Sequence, residues 1–116
     1  MVARVRTQKK NRMKIRIHNT EWKVKLCKGE KLNKMMEQPT IGCTCFMKHI
    51  IYIKKGMDMQ NTIQTVRHEL AHAYLYEYGI HLDDEESICD FIGAFCEEIA
   101  DMALSITGYL TDGNEK

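Results

Sequence analysis

Hydrophobic periodicity changes once along this chain, near Lys54-Lys55-Gly56, and that change limits the folds available to it. Before it, apolar residues alternate with a period of two. Ile15 and Ile17 stand on one side of an Asn19-Thr20 turn, with Trp22, Val24 and Leu26 on the other. Alternate residues of an extended strand share a face, so these predict one or two strands with a single buried side. Lys28 to Pro39 is charged and holds the only proline, and it reads as a surface loop with a helical turn around Leu32 to Met36. Ile41 to Phe46 and Ile50 to Ile53 return to strand character around a polar turn at Lys48-His49, as a hairpin would.

After Gly56 the period becomes helical. Asp58 or Asn61 can cap a helix on which Ile63, Val66, Leu70 and Ala73 recur at three and four, and Gly79 ends it. An acidic loop leads to a second helix, where Ile88, Ile92, Phe95, Ile99, Met102 and Ile106 alternate by four and three up to Gly108. Strands first and helices after define an α+β domain: a small antiparallel or mixed sheet followed by two main helices.

A length of 116 residues allows one compact domain. The expected division is a flexible basic leader over 1–12, one domain over 13–110 and a polar tail over 111–116. Met13 resembles a natural start, and the leader reads as a solvated tail, with a nucleic-acid arm as the alternative. A net charge of +1 makes nucleic-acid binding a weak expectation. No apolar run approaches the roughly 20 residues that span a bilayer, and no membrane partner is expected. The basic N-terminus lacks the apolar stretch of a secretory signal. Cys27, Cys43, Cys45, Cys89 and Cys96 make an odd count. Reduced thiols and a cytoplasmic protein are expected. Cys43 and Cys45 should share one strand face, and Cys89 and Cys96 should be small core residues.

The chemistry-bearing motif is His68-Glu69-Leu70-Ala71-His72. Residues i and i+4 of a helix stand one above the other, so both imidazoles can reach one ion. The Glu69 carboxylate beside them can take a proton from metal-bound water. Catalytic zinc takes three protein ligands and leaves a place for water. A helix-linked third histidine is absent, because Leu75 and Tyr78 hold the positions where the glycine and histidine of that pattern would stand. His81 could swing back from beyond Gly79. Glu86, with a second acid at Asp90 and then Gly93, is the preferred third ligand. Asp90 could then accept the outer N–H of a ligand histidine. Glu85 stays open, since on a helical wheel it lies nearer the apolar stripe than Glu86 does.

His-Glu-x-x-His followed by Glu-x-x-x-Asp-x-x-Gly resembles the gluzincins, the thermolysin-like zinc peptidases with a glutamate third ligand. The chain from Ile51-Tyr52-Ile53 through Phe95 is similar to small ImmA/IrrE-like metallopeptidases of phages and mobile elements. Asp90 is followed here by Phe91-Ile92-Gly93-Ala94 rather than Asn-x-Phe-Ala, and no Leu-Met-Pro segment follows. The resemblance implies a zincin-like domain with an active-site helix and a glutamate helix. It implies Zn2+ on His68, His72 and Glu86, Glu69 as catalytic base and Asp90 behind the ligands. It further implies an extended protein substrate held along Ile51, Tyr52 and Ile53, such as a helix-turn-helix repressor inside a bacterial cell. Tyr109 and His49 are candidates to stabilise the transition state. The alternative function is a catalytically idle metal-binding module that acts as an antirepressor or inhibitor by binding alone. Oligomeric state is left open.

Overall fold

The computed structural model describes residues 12–111 and the backbone of the strand Val5–Lys9; residues 1–4, 10, 11 and 112–116 lie outside the described residues. Five strands and three helices follow in the order β1 (Val5–Lys9), β2 (Arg12–Ile17), β3 (Thr20–Cys27), α1 (Gly29–Met36), β4 (Gly42–Cys45), β5 (Ile50–Lys54), α2 (Met59–Glu77) and α3 (Glu85–Thr111). The class is the expected α+β, with a mixed sheet ordered β1-β2-β3-β5-β4.

β2 and β3 form a tight hairpin in which Ile17 pairs with Thr20 across His18-Asn19. His18 takes a positive φ of 57° there, so the turn falls one residue before the expected Asn19-Thr20. Where a flexible leader was expected, Val5–Lys9 pairs antiparallel with β2 and Arg12 opens β2. The edge of β2 would otherwise be open, and Val5 and Thr7 suit a strand. The tail beyond Thr111 lies outside the described residues.

β3 and β5 run parallel, which requires a crossover. Lys28 to Pro39 supplies it as a full two-turn helix rather than a loop, with Leu32 fully buried. β4 then returns antiparallel to β5 as the predicted hairpin, with Gly42 opposite Ile53 and Cys45 opposite Ile50.

The core lies between one face of this sheet and α2. Ile15 and Ile17, Trp22 and Val24, and Ile51 and Ile53 meet Val66, Leu70 and Ala73, the residues whose spacing predicted it. Leu26 departs from the pattern: it is exposed, while Cys27, on the opposite face of β3, is buried. The far end of α2 is tied to β3 by Glu77, whose carboxylate accepts from Thr20 Oγ1 at 2.9 Å and from Trp22 Nε1 at 2.8 Å. Asp58 caps the start of α2 by accepting from the Asn61 amide at 2.7 Å. At its end Ile80 donates to the Leu75 carbonyl and Gly79 to the Tyr76 carbonyl, a paired closure that turns the chain toward α3.

α3 packs on α2, but not by the expected stripe. Its buried residues are Cys89 and Gly93, while Ile88, Phe95, Ile99, Met102 and Ile106 are exposed. Gly93 makes the close approach possible. A Cβ there would lie 2.9 Å from the Gln64 carbonyl oxygen and 3.4 Å from the His68 Cβ. The missing side chain brings α3 directly onto the turn of α2 that carries His68.

Candidate metal centre

His68 and His72 stand one turn apart on α2, as their spacing predicted, and turn toward α3. Their Nε2 atoms lie 3.2 Å apart. Glu86 reaches both, with Oε2 at 3.0 Å from His68 Nε2 and Oε1 at 3.2 Å from His72 Nε2. These three residues form a group whose ligand atoms converge. His81 is not in it. The imidazoles are largely buried, whereas the Glu86 side chain is 69% exposed, so the centre opens to solvent on the α3 side.

Behind each imidazole stands a carboxylate. Asp90 Oδ1 lies 2.9 Å from His68 Nδ1, and Glu85 Oε2 lies 2.6 Å from His72 Nδ1. The contact of Asp90 is the one its position suggested. Glu85 was considered only as a rival ligand; it holds the second histidine instead. The wheel set Glu85 beside the apolar stripe, which faces outward; what turns it inward is the close approach of α3 to α2 at Gly93. The neighbours of Glu85 on the inward face are the small residues Cys89 and Gly93.

The donor set fits a cation. With each Nδ1–H given to a carboxylate, both Nε2 atoms are left as acceptors, and they face each other and a third acceptor on Glu86. Two doubly protonated rings would instead set N–H against N–H across 3.2 Å. A metal ion between them satisfies all three acceptors at once, whereas a proton on one ring serves a single Nε2. Zinc bonds of about 2.0–2.1 Å in tetrahedral directions place ligand atoms roughly 3.3 Å apart, close to the 3.0–3.2 Å separations found here. The second group, His72 with Glu85 and Cys89, shares His72, and its Glu85 is already paired with His72 Nδ1 at 2.6 Å. The Cys89 thiol is pushed up to about 12, first by burial and then by Glu85, Glu86, Glu69 and Asp90.

Glu69, between the two histidines in sequence, reaches β4 and is 7% exposed. The Thr44 hydroxyl donates to its Oε1 at 2.5 Å. Gly42 leaves room for it, since a Cβ there would lie 2.9 Å from Glu69 Oε2 and 2.7 Å from Thr65 Cγ2. Thr44 and Gly42 were missed as contributors to the site. Their alternation along β4 puts both on the helix side of the sheet, away from Cys43. The Cys43 thiol is raised by burial and then by the nearby Glu69 and Cys45.

Two expectations need correction. Ile51, Tyr52 and Ile53 cannot hold a substrate strand: β5 is paired with β3 on one edge and β4 on the other, and Ile51 and Ile53 are core residues. Among the described residues, the edge beside α2 is β4. Tyr109 is 23 residues along α3 from Glu86, about 35 Å at 1.5 Å per residue, too far to act at the centre. His49 lies tilted against the rings of Trp22 and Tyr76, with Nε2 3.6 Å from Glu77.

No protein-family model, curated protein or solved structure matches this chain.

Proposed function

We propose that the chain is a zinc-dependent metallopeptidase of gluzincin type, with Zn2+ on His68, His72 and Glu86, acting in the cytoplasm on a protein substrate such as a repressor. The observation that carries this reading is the convergence of two Nε2 atoms and one carboxylate, each imidazole backed by its own acid. Bound zinc would supply Lewis acidity and lower the pKa of a coordinated water. Asp90 and Glu85 hold the imidazoles with Nε2 toward the ion. Glu69 would accept the proton of the attacking water and return it to the leaving amine. Thr44 fixes the Glu69 carboxylate and is a positioning residue. An extended substrate would pair with the free edge of β4, Gly42–Cys45, through main-chain hydrogen bonds.

One observation favours a second reading, a metal-bound module that acts by binding alone. Glu69 is held beneath β4 by Thr44 and is only 7% exposed, which leaves little room for a water at its carboxylate. Glu69→Gln separates the two. It should keep zinc and fold, because Glu69 is not one of the converging ligand residues, and lose peptide hydrolysis by at least about 10²-fold. The assay is co-expression with candidate repressors encoded nearby, followed by electrophoresis. Cleavage that vanishes in the variant supports the peptidase. Release of the partner's function by parent and variant alike, with no cleavage, sinks it in favour of the binding module.

A further inference from the structure

The face of α3 turned away from α2 carries a seam of its own. Ile88, Ile92, Phe95, Ile99, Met102 and Ile106 recur at four and three without interruption, a seven-residue repeat. That repeat keeps a stripe on one side of a helix only when the helix winds around another. Here the stripe remains open: Phe95 is 47% exposed, Ile99 51%, Met102 57% and Ile106 51%. The helix also outruns its support. Gly93 lies against Gln64 and His68, so the start of α2 at Met59 is level with about residue 98, and roughly 20 Å of α3 continues beyond it. A helix of that length is marginal in water without packing.

We infer that this seam is a homodimer interface, in which α3 of one chain lies antiparallel to α3 of a second copy, crossing near Met102. Three observations select this occupant. The repeat is self-complementary, so two copies bury the same residues in each other. The area suffices: Phe91, Phe95, Ile99, Met102, Ile106 and Leu110 are each about half exposed. At about 200 Å² per side chain they offer on the order of 600 Å², near the roughly 800 Å² that one partner gives to a stable interface. Charge then sets the direction. Residues 85–101 hold Glu85, Glu86, Asp90, Glu97, Glu98 and Asp101, and residues 102–111 hold no charge. A parallel pair would align acid with acid. An antiparallel pair sets each acidic half against an uncharged one and opposes the helix dipoles. The absence of Lys and Arg from α3 also argues against an anionic lipid surface as the occupant. The metal centre, near Glu86 at the other end of α3, stays open in the dimer.

The test is light scattering with size exclusion on the full chain over about 1–100 μM. The expected mass is twice 13.5 kDa. Ile99→Asp with Ile106→Asp should be monomeric at every concentration and keep its metal stoichiometry, losing helical circular dichroism only from the end of α3 that outruns α2. Leu104→Asp, on the far side of the helix, should remain dimeric. Direction is read from two single variants. Ser105 and Glu98 share one flank of the seam, and Ala103 lies on the other. Like flanks meet in antiparallel pairs and unlike flanks in parallel ones. Ser105→Lys should therefore tighten the dimer roughly threefold to fivefold, and Ala103→Lys should not. A parent that is monomeric throughout overturns the proposal, whether or not it binds vesicles or another protein. So does a dimer indifferent to the Ile99 and Ile106 charges, and tightening by Ala103→Lys alone overturns the antiparallel arrangement.

Discussion

Removing a carboxylate that touches no metal should still weaken the metal. Glu85→Gln and Asp90→Asn each take the negative acceptor from behind one imidazole and leave every proposed ligand in place. The ring is then less basic at Nε2 and freer to rotate, and losses of about 10–100-fold in affinity are usual for such partners. The structure ranks the two. Glu85 approaches His72 at 2.6 Å with its side chain 31% exposed, whereas Asp90 approaches His68 at 2.9 Å and is 69% exposed. The shorter and drier contact should cost more, so Glu85→Gln should fall in the upper part of that range and Asp90→Asn in the lower. Glu86→Gln, which removes a ligand, should exceed both. Competition against a chromophoric chelator at neutral pH measures each affinity. Thermal unfolding gives an independent reading, because a metal that binds only the folded chain adds about 2.7 kcal/mol at 100 times its dissociation constant. For a domain near 100 residues that is roughly 10–20 °C, and each tenfold loss of affinity should remove roughly 6–11 °C. Parent affinity in both Glu85→Gln and Asp90→Asn would refute the orienting role. A parent melting temperature unmoved by zinc or by chelation would refute the centre itself.

The close approaches give two further expectations. Gly93→Ala should destabilise by about 1–3 kcal/mol in urea and lower zinc affinity, although alanine is intrinsically favoured in a helix by about 1 kcal/mol. The new Cβ would press on the Gln64 carbonyl and part the two helices that carry the proposed ligands; a more stable variant with parent affinity would contradict this. Thr44→Val keeps shape but deprives the buried Glu69 carboxylate of its hydroxyl donor. It should cost about 1–3 kcal/mol with zinc content unchanged, and equal stability to the parent would mean that Thr44 does not hold Glu69.

How far the site could be read in advance follows from what periodicity encodes. It groups residues by face, and it did so correctly for α2, where Val66, Leu70 and Ala73 meet the sheet. His68 and His72 share the neighbouring face through the same geometry, so that half of the centre needed no structure. Pairing order is not encoded in this way. The hairpin of β4 with β5 was legible, but nothing within Ile50 to Lys54 reveals that β3 will cover the other edge, because that parallel pairing depends on a crossover through the α1 helix. The substrate edge was therefore assigned one strand too far inward.

The error on α3 has a different origin. Its strongest apolar face was taken for its core face, and the wheel then set Glu86 on the margin. In the fold the inward face is Glu85, Cys89 and Gly93, chosen for small size because α2 comes so near, while the large residues point outward. Burial selects for fit as well as hydrophobicity, and a glycine at the crossing of two helices outweighs an isoleucine two turns away. The inward reading of Glu85 follows at once, and so does its place behind His72. The same helix then has two separate tasks: a narrow, small-residue face that closes the metal centre, and a broad apolar face that a single copy of this chain leaves uncovered.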